Sequence, residues 1–159
     1  MFPITADAGG LAAQEDRLMT GTLNTAAANQ ALGRRFFQEQ DRLQGGPAEA
    51  LCAPTYRAFL GGNPAVDRAG HEYFAKQFYA GFPGIAHTIE HVFATEDHVA
   101  VRFVLHGSHT GSFFGIPATG RPVTIAANVL MQVAGGRVTT LWGMFDEAGL
   151  LRQIGVLPG

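Results

Sequence analysis

The sequence predicts an α+β domain in which helices come first and antiparallel strands follow. Helical spacing places Leu32, Phe36 and Leu43 on one face of an early segment. After Gly84 the apolar period changes from that of a helix to the alternation of a strand. A glycine pair at residues 135–136 fits the tight turn of a hairpin. Helices separated from strands in this way indicate a sheet covered by N-terminal helices.

Three N-terminal helices are predicted from their caps and stops. Asn24 or Thr25 can cap the first, which the glycines after Gln44 end. A short second helix is expected over residues 47–52, since proline suits a first turn. Asp67 is a good cap for the third, which ends before Pro83.

Strands are predicted from period-two patterns over residues 55–60, 85–93, 99–106, 122–133 and 137–145. Alternation places His87, His91 and Phe93 on one face of the second of these strands. At a rise of about 3.3 Å per residue, the two histidines lie roughly 13 Å apart or more, so they cannot bind one metal ion. No other cluster has ligand spacing, and no metal is expected.

Length and composition favour one domain over residues 23–159, preceded by an arm over residues 1–22 that is flexible or a short docking helix. Only 15% of the 159 residues are charged, and the formal net charge is −2. The sequence has no basic stripe that could neutralise phosphates, so nucleic acid is not an expected partner. Its weakly charged surface predicts a homodimer or a higher homo-oligomer.

A single cysteine, Cys52, excludes an intramolecular disulfide and is expected to be a small buried apolar side chain. No apolar run reaches the roughly 18 residues of a membrane span, and the start does not resemble a secretory signal. A cytoplasmic protein without membrane contact is the expectation.

Two segments carry a family resemblance. Residues 107–121 (GSHTGSFFGIPATGR) and 142–155 (WGMFDEAGLLRQIG), with Gly81-Phe82-Pro83 ahead of them, resemble the signatures of SnoaL-like polyketide cyclases, also called ester cyclases. This resemblance implies the fold of ketosteroid isomerase and nuclear transport factor two: a cone-shaped, curved antiparallel sheet that encloses an apolar cavity with three helices. It also implies aldol ring closure without metal or organic cofactor.

The catalytic residues of that family are not all present. The resemblance places Gly143 where an acid/base aspartate is expected and Val129 where its helper histidine is expected. The strand face that holds both positions reads as almost wholly apolar. Asp146, three residues further on, is then the best carboxylate for proton transfer, and its alternative role is to cap the turn that follows.

The remaining site candidates are polar or aromatic residues near the predicted cavity. His109, in a glycine-flanked loop, is the second catalytic candidate, and its alternative role is a hydrogen bond within the loop. Arg102 and His106 either hold a substrate oxygen at the rim or face solvent or an interface. The predicted substrate-binding residues are Arg102, His106, Asn128, Met131, Trp142, Phe145 and Phe36.

Three functions remain open from the sequence. The first is a cofactor-independent acid/base enzyme acting on a hydrophobic, oxygenated substrate of polyketide type. The second is a protein on the same fold that binds an apolar ligand without catalysis, or that performs different chemistry such as epoxide hydrolysis or hydroxylation. The third, a dimerisation module, is disfavoured by the long loop over residues 107–121.

Overall fold

The computed structural model describes residues 8–159, apart from the side chains of residues 8, 9 and 22–24. It contains three α-helices, α1 (Ala8–Leu43), α2 (Arg68–Gly81) and α3 (Glu147–Gln153), and one 3-10 turn (Glu49–Leu51). The strands are β1 (Cys52–Leu60), β2 (His87–Ala94), β3 (His98–Ser108), β4 (Pro122–Ala134) and β5 (Arg137–Phe145). The predicted α+β fold is confirmed.

The five strands form one curved, unclosed sheet in the order β1-β5-β4-β3-β2. Three of the four strand pairs are antiparallel, and the fourth, β1 with β5, is parallel. The residue pattern of β1 contains no information about this direction. Register shifts interrupt three of the four pairings. Such irregularities increase the local twist and bend, which helps the sheet to curl around the apolar side chains on its inner face.

The first helix is longer than predicted. It begins at Ala8, and the Thr25 hydroxyl bonds to the Gly21 carbonyl inside the helix instead of capping it. Asn24 has no described side chain. Residues 8–22 of the predicted arm are therefore helical, whereas residues 1–7 lie outside the described part of the chain.

The three helices are not all N-terminal. The predicted helix over residues 47–52 is a single 3-10 turn, because strand β1 already begins at Cys52 and pairs with β5. The third α-helix instead follows the sheet and starts at its cap, Asp146. The Asp67 cap of α2 is confirmed, since its carboxylate accepts a hydrogen bond from the Gly70 amide.

A bulge in β2 changes which side chains face the core. The pairing with β3 shifts between Ile89 and His91. One extra residue reverses the alternation. His87 and Ile89 therefore point inward, whereas beyond the bulge Val92 is buried and His91 and Phe93 are exposed. The prediction that His91 and Phe93 share the face of His87 is wrong.

Side chains of α1 fasten the helix to the sheet. The buried Asn29 amide donates to the carbonyls of Thr95 and Glu96, and Gln30 donates to that of Val92. Along the same helix, Phe36 and Phe37 enter the hydrophobic core. This anchoring fixes the position of Phe37 and Gln40, two to three turns further along α1, which line the cavity.

Candidate functional site

An apolar cavity lies between the two long helices and the inner face of the sheet. Its volume is about 90 Å³. That is small beside the roughly 300–1,000 Å³ of pockets for drug-sized ligands. A compact molecule, or one ring of a larger one, fits this space. The walls include Phe37, Phe74 and Phe78 from the helices and Ile125, Val129 and Leu141 from the strands.

One wall carries a hydrogen-bonded pair, Asp41 of α1 and His87 of β2. His87 Nδ1 lies 2.7 Å from Asp41 Oδ1, and the His87 amide donates to Asp41 Oδ2 over 2.9 Å. The Tyr79 hydroxyl of α2 also donates to Asp41 Oδ1, over 2.8 Å. The Asp41 carboxylate thus binds both the backbone amide and the ring of His87. The ring is packed between Phe37 and Phe103, at centroid distances of 4.9 and 4.5 Å.

The charge on Asp41 fixes which nitrogen of His87 carries a proton. Partial burial raises the pKa of Asp41. The hydrogen bonds and the charge interaction with His87, together with the hydrogen bond from Tyr79, outweigh burial and hold this pKa below its ordinary value. An ionised carboxylate only accepts hydrogen bonds, so Nδ1 of His87 is the protonated nitrogen. In the neutral ring Nε2 is then free to accept a proton.

A second pair, Tyr56 and His71, lies deeper in the molecule. The Tyr56 hydroxyl is 2.7 Å from His71 Nδ1, and both residues are buried. His71 lines the cavity. Burial, with a smaller contribution from the charge of His87, lowers the pKa of His71 to about 4. His71 is therefore neutral at physiological pH.

His71 makes the fold sensitive to mild acid. In the unfolded chain a histidine binds its proton near pH 6.5, whereas folded His71 does so only near pH 4. The unfolded state therefore binds more protons as pH falls through this window, and stability declines by up to roughly 3 kcal/mol. We expect the urea midpoint to fall between pH 7 and pH 4.5. The variant His71→Gln should flatten this decline, and His106→Gln, at an exposed histidine, should not.

Gln40 brings one more polar group to the cavity. Its side chain is buried, and its Nε2 has no hydrogen-bond partner among the described residues. A buried donor without a partner costs about 1–3 kcal/mol. An oxygen atom of a bound ligand is a suitable partner for this amide.

The two residues predicted to be catalytic lie elsewhere. Asp146 is exposed, and its carboxylate accepts the Gly149 amide at the start of α3, which is the capping alternative. His109 is fully buried beside Phe82, with Nδ1 3.0 Å from the Thr119 hydroxyl. Neither lines the cavity. Their catalytic roles stay predictions, and the geometry favours the alternative role of each.

Of the seven predicted substrate-binding residues, only Phe145 lines the cavity. Phe36 and Met131 are fully buried in the core. The other four lie on the outer face of the sheet, opposite the cavity: Arg102 bonds to Glu90 and Asn128, His106 contacts Thr124, and Trp142 stacks on Phe59. Strand alternation explains this division, because neighbouring residues face opposite sides.

Gly143 and Val129 do face the cavity, as the resemblance implies for the positions of the family's aspartate and histidine. They carry no titratable group. The acid/base groups of this cavity come instead from α1, α2 and β2. No cluster suited to a metal ion occurs within residues 8–159 as described, and no described helix is long and apolar enough to cross a membrane.

Comparison with known proteins decides the family. Residues 32–154 match the family of SnoaL-like polyketide cyclases. The chain belongs to this family. No curated protein matches it.

Several solved structures share the fold of this chain. A protein from Jannaschia Sp. CCS1, provisionally assigned as a SnoaL-like polyketide cyclase, has a TM-score of 0.72 at 23% identity, over 84% of this chain and 95% of its own. AclR from Streptomyces galilaeus, provisionally assigned as a hydroxylase, has a TM-score of 0.74 at 23% identity, over 84% and 89%. IdmH from Streptomyces antibioticus, provisionally assigned as a polyketide cyclase, has a TM-score of 0.63 at 27% identity, over 82% and 97%.

Sequence reasoning on this SnoaL-like chain missed Asp41, His71 and Tyr56, and it considered for His87 only the role of a metal ligand, which the strand spacing excludes. A signal for Asp41 was present: it lies four residues after Phe37, so the carboxylate shares a helix face with an aromatic side chain suited to the core. A carboxylate on such a face needs a partner. Which partner it finds depends on the fold.

Proposed function

We propose that this protein is an acid/base enzyme that moves a proton next to a carbonyl group in a compact, hydrophobic, oxygenated substrate of polyketide type. The observation that carries the proposal is the Asp41–His87 pair at an apolar cavity. Asp41 orients the ring and keeps its proton on Nδ1. Nε2 of His87 is then the general base. No step requires a metal or an organic cofactor.

An aldol ring closure illustrates the chemistry. Nε2 of His87 removes a proton from the carbon next to one carbonyl, which leaves an enolate. The enolate carbon bonds to a second carbonyl carbon, whose oxygen becomes an alkoxide. The protonated His87 returns its proton to that alkoxide, so the substrate is isomerised and the enzyme is regenerated. The apolar walls favour the folded substrate over its hydrated, extended form.

Proton exchange on a probe ketone tests this function directly. Cyclohexanone in D₂O is incubated with the purified protein, and loss of the signal of its α-protons is followed by NMR. We expect exchange well above the buffer rate. The variant Gly143→Leu should abolish it by filling the cavity, whereas Gly143→Ala should not, since a Cβ there meets neighbours at 3.6–3.8 Å. Binding of the ketone without exchange would refute the enzyme and leave the ligand-binding alternative.

We also propose a homodimer formed through the outer face of the sheet. Phe59, Leu130, Trp142 and Met144 are exposed there, and Trp142 is the strand neighbour of both Phe59 and Leu130. A stable interface of this kind buries more than about 1,000 Å². Light scattering should show a dimer at micromolar concentration and a monomer for Trp142→Glu. Val156→Glu, at an exposed site after α3, should remain dimeric; a monomeric parent protein would contradict the proposal.

A further inference from the structure

His71 has one ring nitrogen committed to the protein and one available to the cavity. Nδ1 is 2.7 Å from the Tyr56 hydroxyl, whereas Nε2 has no hydrogen-bond partner among the described residues. The side chain nevertheless lines the cavity. Nε2 is therefore the polar atom of His71 that a ligand can satisfy.

The direction of the Tyr56–His71 bond follows from what surrounds the hydroxyl. Tyr56 is 3% exposed, and His71 Nδ1 is its one hydrogen-bond partner within the described residues. A hydroxyl that accepted from Nδ1 would leave its own proton buried and unpaired, which is costly. A hydroxyl that donates to Nδ1 is itself paired, and the donor left without a protein partner is then the Nε2–H of His71, a side chain that lines the cavity, where a ligand can accept from it. The proton of the neutral imidazole then resides on Nε2.

Stabilisation of an enolate in this cavity has to come from neutral donors. No Arg or Lys lies among the described residues that line it. The Tyr79 hydroxyl is already used on Asp41. This leaves the Nε2–H of His71 and the unpaired amide of Gln40. A neutral imidazole with a fixed proton is an effective electrophile in proton transfer next to a carbonyl.

We propose that His71 holds the carbonyl oxygen of the substrate through its Nε2–H, while His87 takes the proton from the adjacent carbon. This assignment rests on the proposed function and specifies it. It divides the work between two histidines, one a neutral hydrogen-bond donor and the other a base paired with a carboxylate. Tyr56 is a positioning residue, since it acts only through the tautomer of His71. The substrate class is an enolisable ketone whose oxygen is directed toward α2.

The first experiment determines the tautomer without reference to activity. Long-range ¹H–¹⁵N spectra of histidine-labelled protein distinguish a protonated ring nitrogen from an unprotonated one. For His71 we expect a proton on Nε2 and none on Nδ1 at pH 7.5. In Tyr56→Phe the two tautomers should be mixed, whereas Tyr73→Phe, at an exposed tyrosine of the same helix as His71, should change nothing. A proton on Nδ1 in the parent protein overturns the proposal.

The second experiment reads the hydrogen bond to the ligand. Cyclohexanone labelled with ¹³C at its carbonyl should show a downfield carbonyl shift when bound, because a hydrogen bond polarises the C=O group. The downfield shift should be smaller in Tyr56→Phe and absent in His71→Phe. The variant His87→Gln should keep it. An unchanged shift in His71→Phe, in a variant whose circular dichroism remains that of the parent, overturns the proposal.

Exchange kinetics complete the test. We expect His71→Phe to lower the exchange rate by roughly 10²–10³-fold and Tyr56→Phe by about 10-fold. Exchange that is absent in the parent protein refutes the proposed reaction, whereas the carbonyl shift still reports whether His71 holds the oxygen. Exchange that is present and unaffected in His71→Phe refutes the role of His71 and leaves the reaction intact. The two failures are therefore distinguishable.

Discussion

Replacing His87 by glutamine lowers the rate of α-proton exchange by roughly 10²–10⁴-fold, the contribution of a positioned proton-transfer group. Glutamine fills a similar volume and retains polar atoms, so the packing against Phe37 and Phe103 is largely preserved. It offers no basic nitrogen. Binding of cyclohexanone, followed by its carbonyl signal, should change little. A variant that binds and exchanges at the parent rate would contradict the role of His87.

The same prediction extends to the carboxylate. In Asp41→Asn an amide replaces the ionised partner of Nδ1 and can present its NH₂ group to that nitrogen. The proton of the ring then moves to Nε2, where it blocks the base. We expect exchange to fall by about 10²-fold or more, as expected when the wrong tautomer is imposed on a catalytic histidine. The hydrogen bonds to the His87 amide and to Tyr79 are altered as well, so stability is measured in parallel.

The chain offers a matched control for this pair. His98 Nδ1 lies 2.8 Å from Asp97 Oδ1 at the turn between β2 and β3, outside the cavity. Asp97→Asn and His98→Gln remove the same kind of interaction and should leave exchange unchanged. Asp146→Asn should also be silent, because asparagine can cap α3 as aspartate does. A large loss of exchange in Asp146→Asn would instead restore Asp146 as the acid/base residue.

Gly111→Ala should destabilise the fold by about 2–4 kcal/mol. At Gly111 the loop over residues 107–121 passes directly against the end of α2, and its amide donates to the Gly81 carbonyl over 3.0 Å. A Cβ on Gly111 would overlap the Ala80 carbonyl oxygen, which is backbone and cannot rotate away. Relief requires the loop and α2 to separate.

Thermal unfolding measures this effect. For a chain of this size, 2–4 kcal/mol lowers Tm by roughly 5–15 °C. Gly62→Ala is the control, since a Cβ there meets nothing within 4 Å. We also expect weaker ligand binding by Gly111→Ala, because the same loop carries Phe113 against Phe78 of the cavity wall. A Tm equal to that of the control would show that the close approach is not maintained in solution.

The sequence predicted most of the sheet because its signals are local. Alternation in β3 and β4 identified both strands, and the turn at residues 135–136 fixed the pairing of β4 with β5. The same alternation placed Ile125, Val129 and Gly143 on one face of the sheet, which is the inner face. The bulge after Ile89 was not predicted, since one inserted residue reverses the alternation without a change in composition.

The prediction of site residues suffered from reasoning along one strand at a time. Asp146 is the carboxylate nearest to Gly143 on the last strand, and Arg102 is a strand residue that could hold a substrate oxygen at the rim. Both assignments leave out the helices, which supply Gln40 and His71 to the cavity wall and place Asp41 against His87.

The sequence by itself determined the α+β class, the order of the strands along the chain and the apolar inner face of the sheet. These features follow from the spacing of apolar side chains and from turn residues, which are encoded within a few positions of each other. The tertiary structure decided that β1 lies parallel to β5, and that a helix follows the sheet. It also decided the candidate site, because Asp41 and His87 are 46 residues apart and meet only when α1 packs against β2. A hydrogen bond between distant elements depends on how both are placed, and no local pattern contains that information.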